Sequence, residues 1–373
     1  MNGIADSRMP PEPIRVAVVQ AAPAYLDIPG TMRIIEHWLN EASAAGAQLV
    51  AFGETWLTGY PAWLDHCPNM GMWDHGPTKA VFARLRQSSI TVPGPETEQL
   101  ARWARERGMT IVIGVNERVA IGPGHGTLYN TLLTFTPAAG LANHHRKLRP
   151  TYTERLVWGP GDGAGLRAVD TPAGRVGGLI CWEHWMPLAR QAMHLEAERI
   201  HVAVWPTVHE RHQLASRHYA FEGRCFVLAA GGIQRAADLP AELEKSAELA
   251  AAPDSLVLSG GSAIIGPDGE YLAGPVFDTE TLLVADLDPS AIDRELMTLD
   301  VTGHYARDDV FRFEVDRGGR PGASDGSIAA EDHNALASKQ QFQQPFQVAE
   351  SAERDGRLLS HEDAKRRFDR DGQ

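Results

Sequence analysis

Val176-Gly-Gly-Leu-Ile-Cys-Trp-Glu-His-Trp-Met-Pro-Leu188 moves from a run of small and branched apolar residues, through a lone cysteine, to a proline placed as in the first turn of a helix. The run reads as a buried strand, and the helix is expected over Leu188–Glu198. A cysteine at such a junction would feel the positive end of the helix, which lowers a thiol pKa and enlarges its thiolate fraction. Cysteine is also among the most buried residue types and often serves as a small hydrophobe, so this segment alone leaves both roles open.

Working outward, the same alternation of element types recurs. Ile14–Ala22 reads as a first core strand, Thr31–Ala45 as a helix stopped at Gly46, and Gln48–Gly53 as a second strand. A helix over Glu96–Arg107 ends at Gly108, and strands follow at Thr110–Val115, Tyr129–Thr136 and Gly174–Ile180. Beyond the cysteine come a strand at His201–Trp205, a helix at Gln213–Glu222 and an extended run at Cys225–Ala230. Ser262–Ile265 and Tyr271–Gly274 flank Pro267-Asp-Gly269, a hairpin signal, and Leu282–Asp286 reads as a last core strand. Helices interleaved with strands, with hairpins inside the series, predict an α/β sandwich of mixed sheets. Residues 1–13 read as an N-terminal extension and 14–315 as the catalytic-type domain. Residues 316–373, poor in large apolar side chains, read as a tail that is solvated or packs on another subunit.

Composition narrows the function classes. The 373 residues, 43% hydrophobic, suffice for a large core, and a formal net charge of −13 argues against nucleic-acid and anionic-membrane partners. Three dispersed cysteines, Cys67, Cys181 and Cys225, form neither a disulfide framework nor a thiolate zinc site. With no signal-peptide pattern and no membrane-length apolar run, a cytoplasmic location is expected.

A cysteine attacking a carbon bonded to nitrogen needs a proton acceptor, a cation for developing negative charge, and later an activated water. Glu54 ends an apolar strand and opens the aromatic loop Thr55-Trp-Leu-Thr-Gly-Tyr-Pro61, where partial burial should raise its pKa. Lys147, in His144-His-Arg-Lys-Leu-Arg-Pro150, offers a compact ammonium at a strand end, and Glu154 could orient that lysine or a water. Tyr60, Trp56, Trp182 and Trp185 are candidate pocket residues, although aromatics near a core commonly serve packing. His209-Glu-Arg-His212 lacks the spacing of HExxH, so no metal site is expected there. Gly231-Gly232 and Gly260-Gly261 lack a phosphate-loop context and read as turns or close-packing points; no GxSxG elbow is present.

Gly53-Glu-Thr-Trp-Leu-Thr-Gly-Tyr-Pro61, His145-Arg-Lys-Leu-Arg-Pro-Thr-Tyr-Thr-Glu-Arg155 and Cys181-Trp-Glu-His-Trp-Met-Pro-Leu188, in that order, resemble the nitrilase family of carbon–nitrogen hydrolases. The likeness extends from about Ile14 to Phe313. It implies an α-β-β-α sandwich whose protomers pair into an extended multilayer sandwich, with spiral or filamentous homo-oligomers common in this branch. It further implies Glu54, Lys147 and Cys181 as the catalytic triad, Glu154 as a fourth functional residue, a small-molecule nitrile substrate and no cofactor. Trp182-Glu183 after the cysteine is similar to true nitrilases, whereas amidase branches carry other residues there. An amidase with the same triad is the alternative, and a non-catalytic assembly protein is a further one, distinguished by an inert Cys181.

Overall fold

The structure is a computed structural model that describes residues 12–318. The expected N-terminal extension and the tail from 316 fall almost wholly outside those residues. The described elements are β1 (Ile14–Gln20), α1 (Ile28–Ala44), β2 (Leu49–Ala51), α2 (Trp63–His66), α3 (Gly76–Gln87), α4 (Pro95–Arg107), β3 (Thr110–Arg118), β4 (Leu128–Thr136) and β5 (Gly140–Arg146). They continue with β6 (Val169–Thr171), β7 (Gly174–Ile180), α5 (Pro187–His194), β8 (Ile200–Val204), α6 (Glu210–Gly223), β9 (Phe226–Ala230) and β10 (Ile233–Arg235). The last are α7 (Ala247–Ala251), β11 (Leu256–Ile265), β12 (Tyr271–Phe277), β13 (Thr281–Leu287) and α8 (Ser290–Leu296).

Two sheets form, in the orders β13-β1-β2-β3-β4-β5 and β10-β11-β9-β8-β7-β6, with β12 paired to β11. Each has a parallel centre, β1-β2-β3 and β7-β8-β9, flanked by antiparallel strands. The mixed-sheet expectation therefore holds. Strand alternation explains the layering, because successive side chains point to opposite faces. In β1, Val16 and Val18 join the core between the sheets, facing residues such as Ile180 and Val202. Ala17 and Val19 face the other way, packing with Ile35 and Leu39 of α1 and Leu100 and Trp103 of α4. On the second sheet, Ala192 and Met193 of α5 and Ala215 and Tyr219 of α6 pack on the face turned away from the first sheet. Central strands are thus apolar on both faces, which is why they read as near-continuous apolar runs.

Local chemistry sets the element ends. Asp27 accepts a hydrogen bond from the Gly30 N–H at 3.1 Å and Pro29 occupies the first turn, so α1 begins earlier than the expected Thr31. Gly46 and Gly108 adopt the left-handed backbone expected after α1 and α4. Helix α3 escaped the sequence reading because only Val81 and Leu85 are buried, too thin a stripe to register as periodic. The expected helix Leu188–Glu198 is shorter, Pro187–His194, and Ala197 turns left-handed, directing Glu198 into the core. Gly260 and Gly261, expected at a turn, lie inside β11 where its register to β12 shifts. A Cβ on Gly260 would fall 2.3 Å from the Gln20 side chain, so the close-packing reason for glycine stands. Among the described residues no helix is long and apolar enough to cross a membrane.

Candidate active site

Four loops at strand ends converge where the two sheets meet. Past β2, the Phe52 N–H still bonds to the Val112 carbonyl, and then the Glu54 N–H reaches across to the Trp205 carbonyl beyond β8, at 3.4 Å. Gly114 lies directly behind this turn: a Cβ there would sit 2.4 Å from the Thr55 nitrogen and 2.8 Å from the Glu54 Cα. Lys147 follows β5 immediately, its N–H held by the Asn130 carbonyl at 2.8 Å. Glu154 lies in a 3₁₀ turn, Tyr152–Leu156, and caps it by accepting from the Thr151 N–H at 2.7 Å. Cys181 directly follows β7 and opens a 3₁₀ turn, Cys181–Trp185. Thr55, Tyr152 and Cys181 all have left-handed backbones, with φ of 46°, 42° and 53°. Such conformations cost on the order of 1–3 kcal/mol each and persist only where the surroundings enforce them.

The expected residues meet. Lys147 Nζ lies 2.8 Å from Glu54 Oε1 and 2.9 and 2.7 Å from the two oxygens of Glu154. Glu54 Oε1 also accepts from the Asn130 amide at 2.6 Å, while Glu54 Oε2, equally buried, has no hydrogen-bond partner. One carboxylate oxygen from each of Glu54 and Glu154, together with the Cys181 sulfur, lie within 4.8 Å of one another. Two carboxylates and a sulfur could also hold a metal ion, but here the Lys147 ammonium fills the cationic position between the carboxylates.

Burial governs the electrostatics. It lifts the Glu54 carboxyl to about 7, against the pull of Lys147. Burial also disfavours the Lys147 charge, yet Cys181, Glu154 and Glu54 outweigh it and hold the ammonium well above its ordinary value. The Cys181 thiol is pushed well above its ordinary value by burial and then by Glu54, with Lys147 and the Trp182 backbone N–H opposing. This corrects the expectation of a lowered thiol: α5 begins six positions on, and the single turn at Cys181 cannot offset desolvation beside carboxylates. The sulfur therefore sheds its proton only if a base receives it as bond formation begins, and Glu54 stands ready with a raised pKa and a free oxygen.

Glu183 ties the loops together. Its Oε1 accepts from the Leu148 N–H at 2.7 Å and its Oε2 from the Ile180 N–H at 2.7 Å, so one carboxylate joins the Lys147 loop to the Cys181 turn. Burial opposes ionisation, but His145, 2.9 Å away, and those two donors keep the Glu183 carboxyl below its usual range. From sequence Glu183 serves only as a branch marker, and Asn130 carries no signal of its own, since Thr131, Thr134 and Thr136 are also buried polar residues of β4.

A half-open cleft of about 320 Å³ leads to Cys181, walled by Tyr60, Tyr152, Trp182, His209 and His212. Tyr60, also named from sequence, donates to Glu154 Oε1 at 3.0 Å. Trp56 and Trp185 are not among the cleft walls. The Trp56 ring packs on Phe52 in the outer core, its N–H bonded to the Ala21 carbonyl at 2.9 Å, and Trp185 is 37% exposed.

Residues 15–294 match the carbon-nitrogen hydrolase family. The chain is 44% identical over 305 residues to an aliphatic nitrilase of Sinorhizobium fredii (strain HH103), covering 81% of this chain and 95% of that one. It is 42% identical over 306 residues to a bifunctional nitrilase/nitrile hydratase of Nicotiana tabacum, covering 81% and 86%. Its fold is similar to an amidase from Nesterenkonia sp., at TM-score 0.55 and 18% identity over 80% of this chain and 99% of that one. A carbon-nitrogen hydrolase from Helicobacter pylori G27 gives 0.57 and 17% over 81% and 100%. With the three ordered motifs folded into one crevice between paired sheets, the chain belongs to the nitrilase family of carbon–nitrogen hydrolases.

Proposed function

We propose that the protein is a nitrilase that converts an organic nitrile to a carboxylic acid and ammonia, with Cys181 as nucleophile, Glu54 as base, Lys147 as electrophilic donor and Glu154 supporting both. The observation that carries this reading is the buried contact of the Lys147 ammonium with both carboxylates beside the Cys181 sulfur. Glu54 takes the thiol proton as sulfur bonds to the nitrile carbon, and Lys147 stabilises charge developing on the nitrogen, giving a thioimidate. Water deprotonated by Glu54 adds to that carbon. The tetrahedral species expels ammonia and leaves an acyl thioester, which a second water hydrolyses to the acid and free thiol. The Trp182 N–H, which bonds to the resting sulfur, is a candidate donor to oxyanions formed at the same carbon. Expulsion of the thiol in place of ammonia would give an amide, so some amide by-product is expected.

Relatives named for nitriles at 42–44% identity support nitrile over amide as substrate. Incubating the protein with matched nitriles and amides and measuring ammonia tests this directly: release from nitriles supports it, and release from amides alone overturns it in favour of an amidase. Replacing Cys181 with Ala should abolish turnover while the fold persists; retained turnover would remove Cys181 from the nucleophile's role. Exposed Leu188 of α5, Leu195 just past its end, and Leu214 and Phe221 of α6 support a homo-oligomer seated on this helical layer, which light scattering would reveal. Three free cysteines support a reducing, cytoplasmic setting.

A further inference from the structure

Behind Cys181, on the side away from the cleft, lies a chain of buried polar groups that the reaction above does not use. His184 Nδ1 is 2.7 Å from the Cys181 carbonyl oxygen, His184 Nε2 is 3.0 Å from His201 Nε2, and His201 Nδ1 is 2.9 Å from Glu198 Oε2. Tyr219 donates its hydroxyl to Glu198 Oε1. His184, His201 and Tyr219 are at most 1% exposed and Glu198 is 5%.

Donor counting fixes the protons. A carbonyl only accepts, so His184 Nδ1 carries hydrogen and the Nε2 of the neutral ring accepts. His201 Nε2 must then donate, its Nδ1 accepts, and Glu198 Oε2 must bear a proton. Moving that proton to His201 Nδ1 yields an imidazolium–carboxylate pair with the same pattern above it. Either way the chain holds one extra proton. Remove it, and His201 turns its remaining N–H toward the carboxylate, His184 donates from Nε2, and a bare Nδ1 lone pair faces the Cys181 carbonyl.

We propose that His184, His201 and Glu198 are positioning residues: a one-proton relay that holds the Cys181 carbonyl and, through it, the left-handed backbone that presents the thiol. The relay ends on a carbonyl, which delivers no proton, so its role is to fix geometry. Burial pushes the Glu198 carboxyl up and both imidazoles down, which keeps the groups neutral with the proton on Glu198. The other ionisable groups facing the relay are Tyr219 and Glu222 from α6, His194 and Arg190 from α5, Cys225 before β9, and Glu183 beside His184. Gly177 leaves room for the carboxyl, since a Cβ there would lie 2.0 Å from Glu198 Oε2.

The inference rests on Cys181 as nucleophile, and its test needs no nitrile. The rate at which iodoacetamide alkylates Cys181 in the full-length protein is followed against pH by peptide mass, which separates it from Cys67 and Cys225. Ionisation of the thiol makes the rate climb with pH, and in the wild type the rate should fall below that climb as pH passes about 7 and the relay loses its proton. Glu198→Gln offers an amide N–H to His201 and an amide oxygen to Tyr219 at every pH, so that fall should disappear. His184→Phe keeps the stacked ring and removes the donor, and should alkylate about tenfold more slowly with no step near pH 7, the rate equivalent of one hydrogen bond. A wild type without the fall, a Glu198→Gln protein that retains it, or a folded His184→Phe protein with wild-type rate and profile would overturn the relay. If His184→Phe fails to fold, the Glu198→Gln comparison decides. Absence of nitrile turnover with the alkylation pattern intact would sink the nitrilase reading and leave the relay standing.

Discussion

At Glu54, the proposed base, two demands compete: that role needs it ionised to accept a proton, yet it lies in a desolvated crevice. Burial raises it to about 7, and the adjoining ammonium prevents a larger rise. Base catalysis needs the ionised form, so kcat/KM should decline as pH falls through about 7. Glu54→Gln should remove this acid limb and lower turnover by about 10²–10⁴-fold, the usual contribution of a positioned base. A variant that forms the covalent cysteine adduct at the normal rate, seen by mass spectrometry, would free Glu54 from that role. Lys147→Met presents a different outcome, since it strands two buried carboxylates without their cation. We expect it to be inactive and destabilised by about 3–5 kcal/mol, measured by urea unfolding. Glu54, Lys147 and Cys181 were legible in the sequence because each sits in a distinctive local context. The state of the thiol was not, because desolvation depends on chain segments far away in sequence.

Among the elements, the strand ends do the placing. Gly114 in β3 supports the Glu54 turn by having no side chain, and Gly114→Ala forces the Thr55 nitrogen and Glu54 Cα outward. The expected result is a destabilisation of about 1–3 kcal/mol together with loss of turnover; unaltered kinetics would show that the turn moves without harm. Glu183→Gln should release one of the two N–H groups it holds, since the amide nitrogen cannot accept, and loosen Lys147 relative to Cys181. A fall in kcat with little change in KM checks it. Most strands and the helices α1, α4 and α6 were legible from periodicity, because burial on one or both faces leaves a pattern within a few residues, which α3 lacks. The helix after Cys181 was extended too far: Glu196 and Glu198 continue a helical composition, and nothing local reveals that Ala197 turns left-handed. That turn puts Glu198 at the far end of the chain of hydrogen bonds leading to the Cys181 carbonyl, so the helix boundary conceals a polar network from the sequence.

For the whole molecule, buried ionisable groups shape stability with pH. Burial raises Glu54 and Glu198 from 4.5 to about 7; their contribution is present below about 4.5 and lost as pH rises through about 7. Glu117 is held at about 2 by Arg146 and His144, and Glu222 at about 2 by His194 and Arg190, both against burial; their contribution is present above 4.5 and lost as pH falls toward 2. His184 and His201, kept neutral by burial, likewise lose stability as pH falls below 6.5. The two trends oppose each other between about 4.5 and 6.5 and act without opposition below. Thermal melting points should therefore vary little from pH 5 to 7 and drop steeply below 4.5; a steady decline across the whole range would contradict these assignments. The layered architecture was legible from alternating elements, whereas the pairing of the two sheets was supplied by the family resemblance, since strand order leaves no local trace.

Because Glu54 and Lys147 come from one sheet and Cys181 from the other, with Glu183 as a buckle between the Lys147 loop and the Cys181 turn, turnover reports on the seam of the sandwich. Mild denaturant that lets the halves slip by an ångström should silence the enzyme while each half still gives its full circular-dichroism signal.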